Sequence, residues 1–175
     1  MSDLGAGRRL IGFRVGSAGA ALPLGIVREV TERPRVVRVP GSHEFVCGVA
    51  LHGGVALPVY DLQRFDSLWS GPRPAGSAST GTDAGHLIVC DWGEVALGVL
   101  GDRVDLVEET ETDEGHEAGA ATPCGMSEAY VKRVLRRDGE TIVLLDTDRL
   151  FASLGVPAAE PRARRRDGED DPAGG

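Results

Sequence analysis

Cys47-Gly48-Val-Ala-Leu-His52-Gly53-Gly54-Val-Ala-Leu-Pro58-Val-Tyr-Asp61-Leu62 reads as strand, tight turn, strand and the opening of a helix. Val49 and Leu51 alternate before the turn, and Val55, Leu57 and Val59 alternate after it. Alternation with period two places such residues on one face of a pleated strand. Around a Gly-Gly pair it signals a hairpin, because two-residue hairpin turns favour positive φ at their centre. Asp61 follows where a carboxylate can accept the backbone N–H groups that a helix leaves free in its first turn.

The plan recurs near the C-terminus. Val134-Leu-Arg-Arg-Asp138-Gly139-Glu-Thr-Ile-Val-Leu-Leu-Asp146 again runs into a turn, an apolar strand and an Asp. Val49 precedes Asp61 by 12 positions and Val134 precedes Asp146 by 12; Gly54 and Gly139 each stand seven before the Asp. A short amphipathic run follows in both places, Leu62 to Phe65 and Thr147 to Phe151. The matched spacing predicts two related β units, each closed by an Asp cap.

Bulk composition narrows the function classes. The 175 residues are enough for one ordinary domain or two small ones, and 41% hydrophobic with 26% charged fits a soluble globular protein. The net charge of −8 argues against general nucleic-acid binding through phosphates. No run approaches the roughly 20 apolar residues of a membrane span. Arg14 interrupts Leu10 to Phe13 too early for a signal peptide, so direct membrane insertion is not expected and a cytoplasmic location is. Cys47, Cys90 and Cys124 are odd in number and widely spaced, which suits neither a disulfide framework nor a structural zinc site.

Along the chain, about ten short strands separated by turn signals predict an all-β protein made of small barrels. Each half is marginal for an independent core, so the halves are expected to share an interface. Residues 1–9 and 158–175 are expected to be disordered, and 67–85, rich in Ser, Gly, Ala, Thr and Pro, to be a flexible linker. Trp69 within that stretch is expected to be partly buried against the first unit. Six carboxylates between Glu108 and Glu117 make a solvated loop the natural reading. First barrel boundaries of about 16–66 and second of about 86–145 follow, with the N-terminal strand available to complete the second.

Candidates for chemistry are few. A Cys47–His52 pair would need the imidazole to take the thiol proton, but an odd separation on a regular strand puts the two on opposite faces. The four histidines show no ligand spacing, and Asp113, Glu114, His116 and Glu117 lack the pattern of a calcium loop. Asp61 and Asp146 are better explained as caps than as a catalytic pair. No Gly-rich phosphate loop is present. Neither a metal nor a cofactor is expected, and sheet edges with apolar faces suit a binding module better than an enzyme.

Gly48-Val-Ala-Leu-His-Gly-Gly54, its spacer and Pro58-Val-Tyr-Asp61-Leu62 resemble the signature of the CheW-like domain family, usually Gly-Val-Ile-Asn-Leu-Arg-Gly, a spacer and Pro-Val-x-Asp-Leu. Val27 to Val30, Arg38 to Pro40, Val95 to Val104 and Thr141 to Asp146 resemble its other landmarks, so the resemblance covers about 10–154. It implies two SH3-like five-stranded barrels packed together, with short helices after Asp61 and Asp146. It also implies a non-enzymatic adaptor in chemotaxis-like signal transduction. The implied partners are the regulatory domain of a CheA-type histidine kinase and the cytoplasmic tip of a chemoreceptor. Carried over residue by residue, Val27, Glu29 and Val30 fall in the partner-binding set, with Gly48, Gly53 and Gly54 in and beside the hairpin turn. Val27 and Val30 read equally well as core, and Glu29 as an ordinary surface charge. Pro58, Asp61, Gly139 and Asp146 are structural. The departure is Gly53, where the family carries an Arg linked to partner binding. A divergent modulator that binds only one of receptor or kinase is therefore the alternative to a full adaptor.

Overall fold

The computed structural model describes residues 8–72, 85–109, 116–117 and 124–156. Most of the expected lead-in 1–9, the body of the linker 67–85, much of the acidic loop with Asp113 and Glu114, and the tail 158–175 lie outside these residues. Eleven strands are seen: β1 (Arg9–Val15), β2 (Ala18–Pro23), β3 (Val27–Glu32), β4 (Val36–Val37), β5 (Val46–His52), β6 (Val55–Tyr60), β7 (His86–Trp92), β8 (Val95–Glu108), β9 (His116–Glu117), β10 (Val131–Arg137) and β11 (Glu140–Leu145). One α-helix, α1 (Thr147–Ser153), follows, and four single 3-10 turns complete the described structure.

The strands form one mixed sheet with two clusters that share β8. The N-terminal half of this 14-residue strand pairs antiparallel with β7 and touches β6 in parallel; its C-terminal half pairs with β1. One cluster runs β3-β7-β8-β6-β5-β4 and the other β8-β1-β2-β11-β10-β9. The same plan is thus used twice. Hairpin β5–β6 and hairpin β10–β11 agree at a constant offset of 85 positions: Val46 faces Tyr60 as Val131 faces Leu145. Both registers skip one residue at the same place, Cys47 in one and Lys132 in the other. The N–H of Asp61 donates to Phe45 O and that of Asp146 to Tyr130 O, each at 2.8 Å. Hairpins β1–β2 and β7–β8 correspond in the same way, and the two-residue strands β4 and β9 pair at equivalent sites, opposite Val49 and Val134.

The expectation of two five-stranded SH3-like barrels is overturned. Among the described residues the ladder is not closed: it ends on β4 at one side and β9 at the other, and β3 pairs with β7 alone. A barrel needs its first and last strands to hydrogen-bond. Here β4 offers two residues and lies between Pro34 and Pro40, which have no N–H to give a ladder. Nor do the clusters follow chain order, since hairpin β1–β2 belongs with β10–β11 and hairpin β7–β8 with β5–β6.

The principal core lies between the clusters, where Phe13, Ala20, Cys90, Leu97, Leu150 and Phe151 are buried together. Trp92 meets Phe151 edge to face at 5.0 Å, tying α1 to β7. Smaller cores fill each cluster, Ala50, Leu57 and Val89 in one and Leu10, Leu135 and Leu144 in the other. Trp69 is buried, its indole N–H donates to Leu62 O at 3.2 Å, and its backbone bridges to Met126.

Asp61 Oδ1 accepts the Gln63 N–H at 3.0 Å, heading a 3-10 turn at Leu62–Arg64, and Asp146 Oδ1 accepts the Arg149 N–H at 3.1 Å, heading α1. Replacing such a cap removes a partner for an otherwise orphaned donor. Asp146→Ala is expected to lower stability by about 0.5–2 kcal/mol in a denaturant melt and to leave partner binding intact. A loss of binding at unchanged stability would give Asp146 another role.

Candidate interaction surface

The residues that the family resemblance points to fall on β3 and on the β5–β6 hairpin, which are separate in sequence and meet where Glu29 reaches His52. Val27 is half-buried against the principal core, whereas Glu29 and Val30 are exposed. Between them Arg28 is skipped in the register with β7 and forms a two-pronged pair with Asp91, Nε to Oδ2 at 3.0 Å and Nη2 to Oδ1. The Asp91 hydrogen bond and charge hold the Arg28 guanidinium above its already high range.

Glu29 reaches across the open edge of the sheet to His52, Oε1 to Nε2 at 2.6 Å. An ionised carboxylate only accepts, so Nε2 carries the proton. The second cluster is bridged at its own opening in the same manner. Arg133 pairs with Glu109, and Arg137 donates to Glu108 O at 3.1 Å, from β10 to the end of β8. His52 and Arg137 hold equivalent positions in their hairpins. Side chains thus clasp each sheet where backbone ladders do not. By the resemblance the family's Arg falls at Gly53, but the side chain that meets Glu29 here comes from His52, one residue earlier. From sequence, His52 reads as a residue beside the turn, and a pairing with Cys47 is argued against. Only the approach of β3, 23 positions away, shows what it contacts.

Gly53 and Gly54 have φ of +55° and +80°, as a two-residue hairpin turn requires. A Cβ at either would meet nothing within 4 Å. Asp138, which takes the place of Gly53 in the second hairpin, already adopts φ +52°. Gly48 is different: at φ +141° its Cβ would lie 2.1 Å from Val37 O, so only glycine lets β4 rest on β5 here. Pro58 is half-buried opposite Val49. Gly139, φ +79°, closes the second turn. Beside the clasped mouth, β4 and β5 present an apolar face on which Val37 is 64% and Leu51 73% exposed. Larger contiguous apolar patches of this kind are one mark of protein contacts.

Cys47 is the bulged residue of β5, so strict alternation fails there and the parity argument against a Cys47–His52 pair does not apply. The thiol nevertheless lacks the character of a nucleophile: burial, aided by the charge of Asp61, pushes it up to about 11. Burial drives Cys90 to about 12 and raises the Asp102 carboxyl. Because the folded Cys47 thiol holds its proton more tightly than an unfolded one, its contribution to stability is present below about pH 9 and lost as pH rises through about 11. At pH 8 a thiol reagent is expected to label Cys47 and Cys90 at least about tenfold more slowly in the native chain than in denaturant. Labelling at equal rates would show that Cys47 is activated. Among the described residues no three His, Cys, Asp or Glu side chains gather as a metal site, and no helix is long and apolar enough to cross a membrane.

A model of the CheW-like domain matches residues 9–155. Chemotaxis protein CheW of Bacillus subtilis is 22% identical over 163 residues, spanning 91% of this chain and 97% of that protein. Protein PilI of Pseudomonas aeruginosa is 44% identical over 55 residues, so the match spans 31% of this chain and 31% of that relative. The crystal structure of scaffolding protein TtCheW from Thermoanaerobacter tengcongensis superposes with a TM-score of 0.65 at 18% identity, covering 80% of this chain and 89% of that one.

Proposed function

Because the chain belongs to the CheW-like domain family, we propose that it works as a non-enzymatic adaptor, coupling chemoreceptors to a CheA-type histidine kinase in chemotaxis-like signalling. It holds partners in place and catalyses no reaction of its own. The observation that carries this reading is the clasped mouth of the first cluster. There Glu29, His52 and Val30 stand exposed or half-exposed on the strand and hairpin that the family signature marks, beside the apolar face of Val37 and Leu51. Val27, Glu29, Val30, Gly48, Gly53 and Gly54 shape the surface that meets the receptor tip and the kinase regulatory domain. Neutralising the clasp with Glu29→Gln is expected to weaken at least one of the two partners about tenfold in a titration, with the melting curve little changed. Unchanged affinity for both moves the surface elsewhere.

A second reading is favoured by one observation. A charge-assisted hydrogen bond is worth roughly 1.5–3 kcal/mol, and Gly53 supplies none where the family has an Arg. On that reading the chain is a modulator that binds one partner and does not complete the complex. Open space at Gly53, together with the φ of Asp138 in the matching turn, supports the expectation that Gly53→Arg folds normally. A gain of affinity in that variant favours the modulator; no gain favours the adaptor, with His52 as the side chain that meets Glu29 at this place.

A further inference from the structure

A groove of about 740 Å³ opens between the 38–46 loop and the turn at Gln63–Arg64, at the β4 end of the first cluster. None of its lining belongs to β3 or to the Gly53–Gly54 turn, so it is separate from the surface described above. Its rim is basic. Arg38 is exposed and makes no hydrogen bond or ion pair among the described residues, and Arg64 sits opposite with Asp61 Oδ2 at 3.4 Å. His43 stacks on Phe45 at 5.1 Å, and Glu44 is the single acid of the lining. Arg33, Arg38 and Arg64 all act on the nearby Cys47 thiol, with Asp61 the acid among them, so three arginines lie close together at this end of a chain whose net charge is −8.

The internal repeat says what kind of object such a place receives. In the second unit, Gly125–Ser127 stands four to six residues before Val131, and the chain's own Leu68–Ser70 lies across it: Ser70 N–H donates to Gly125 O at 2.9 Å and Ser127 N–H to Leu68 O at 2.7 Å, with Trp69 buried between. In the first unit, Pro40–Ser42 stands four to six residues before Val46 and lines the groove, with no described segment across it. Ser42 turns its N–H and its hydroxyl back to Val39 O, at 3.3 and 2.8 Å, so an occupant is held by side chains more than by backbone pairing.

We propose that this groove docks an extended acidic segment of a partner protein, with a carboxylate at Arg38 and an apolar side chain against Val39 and Val46, as Leu68–Ser70 lies on Gly125–Ser127. Arg favours carboxylates because its planar fork matches both oxygens. A local basic rim on an acidic molecule selects a short acidic stretch over a long polyanion, which the rest of the surface repels. The site does not depend on what the Glu29–His52 surface binds.

The probe is a fluorescein-labelled peptide, Glu-Leu-Trp-Ser-Glu, patterned on the segment that fills the equivalent place, with Lys-Leu-Trp-Ser-Lys as control. Fluorescence anisotropy with the full chain is expected to show binding of the acidic peptide only. Arg38→Glu should weaken it at least about tenfold, and Arg38→Lys should keep most of it. Equal binding by Arg38→Glu, by the lysine peptide or by an oligothymidylate overturns the proposal. So does a tenfold gain in affinity when Asp167, Glu169, Asp170 and Asp171 are changed to their amides, because the chain's own C-terminal acids would then be the occupant.

Discussion

Trp69→Ala is expected to destabilise the fold by about 3–5 kcal/mol, the range for removing a buried aromatic from a core that cannot collapse around the loss. Trp69 follows the second 3-10 turn of the first unit, yet its backbone bridges to Met126 in the second. Its ring belongs to the core between the clusters, with Leu68 and Met126 fully buried beside it. Removing it also leaves Leu62 O without the indole donor. A denaturant melt of Trp69→Ala should therefore show a much lower midpoint, whereas deletion of residues 74–82 should leave the midpoint nearly in place, because the sequence of that stretch, Pro-Ala-Gly-Ser-Ala-Ser-Thr-Gly-Thr, has no large apolar side chain to lose from a core. Equal effects of the two changes would mean that Trp69 does not join the clusters.

The second large effect is expected at Gly48. A methyl group there meets the Val37 carbonyl at 2.1 Å and forces a left-handed φ on an L-residue. Backbone strain of this kind costs about 1–3 kcal/mol, and overpacking a similar amount. The strain is relieved only if β4 lifts from β5. Gly48→Ala should thus lose about 2–4 kcal/mol of stability. It should also speed amide exchange at Val36 and Val37 beyond what global destabilisation explains. Gly53→Ala, in open space at a φ that Asp138 also adopts, should lose much less. Reversal of that order would place the critical glycine in the turn and not beneath the edge strand.

What the sequence made legible follows from how local each cause is. Alternation about Gly53-Gly54 and Asp138-Gly139 is a property of consecutive residues, and both hairpins form at those places. The constant spacing to Asp61 and Asp146 carried the repeat as well, and it extends further than the motif, to the skipped residues Cys47 and Lys132 and to the short strands β4 and β9. Pairings between distant segments left no local trace. Nothing in His86–Trp92 says that hairpin β7–β8 will join β5–β6 rather than β10–β11, so the interleaving of the clusters was not readable. The open edge is also non-local: strand lengths suggested closure, but the two residues of β4 between two prolines could not carry it. The Glu29–His52 contact joins residues 23 positions apart, and a single histidine next to a Gly-Gly turn gives no sign of its partner. A polar nitrogen donor at the equivalent end of both hairpins, His52 and Arg137, is the one signal that could have pointed to it.

The central claim is that this chain brings a receptor and a kinase together through an unreactive surface. Sedimentation velocity on a mixture of the full chain, the kinase regulatory domain and the receptor-tip fragment from the same cell tests it most directly. The account predicts one boundary containing all three, reduced in amount by Glu29→Gln. A chain that sediments alone in the presence of both partners would contradict it.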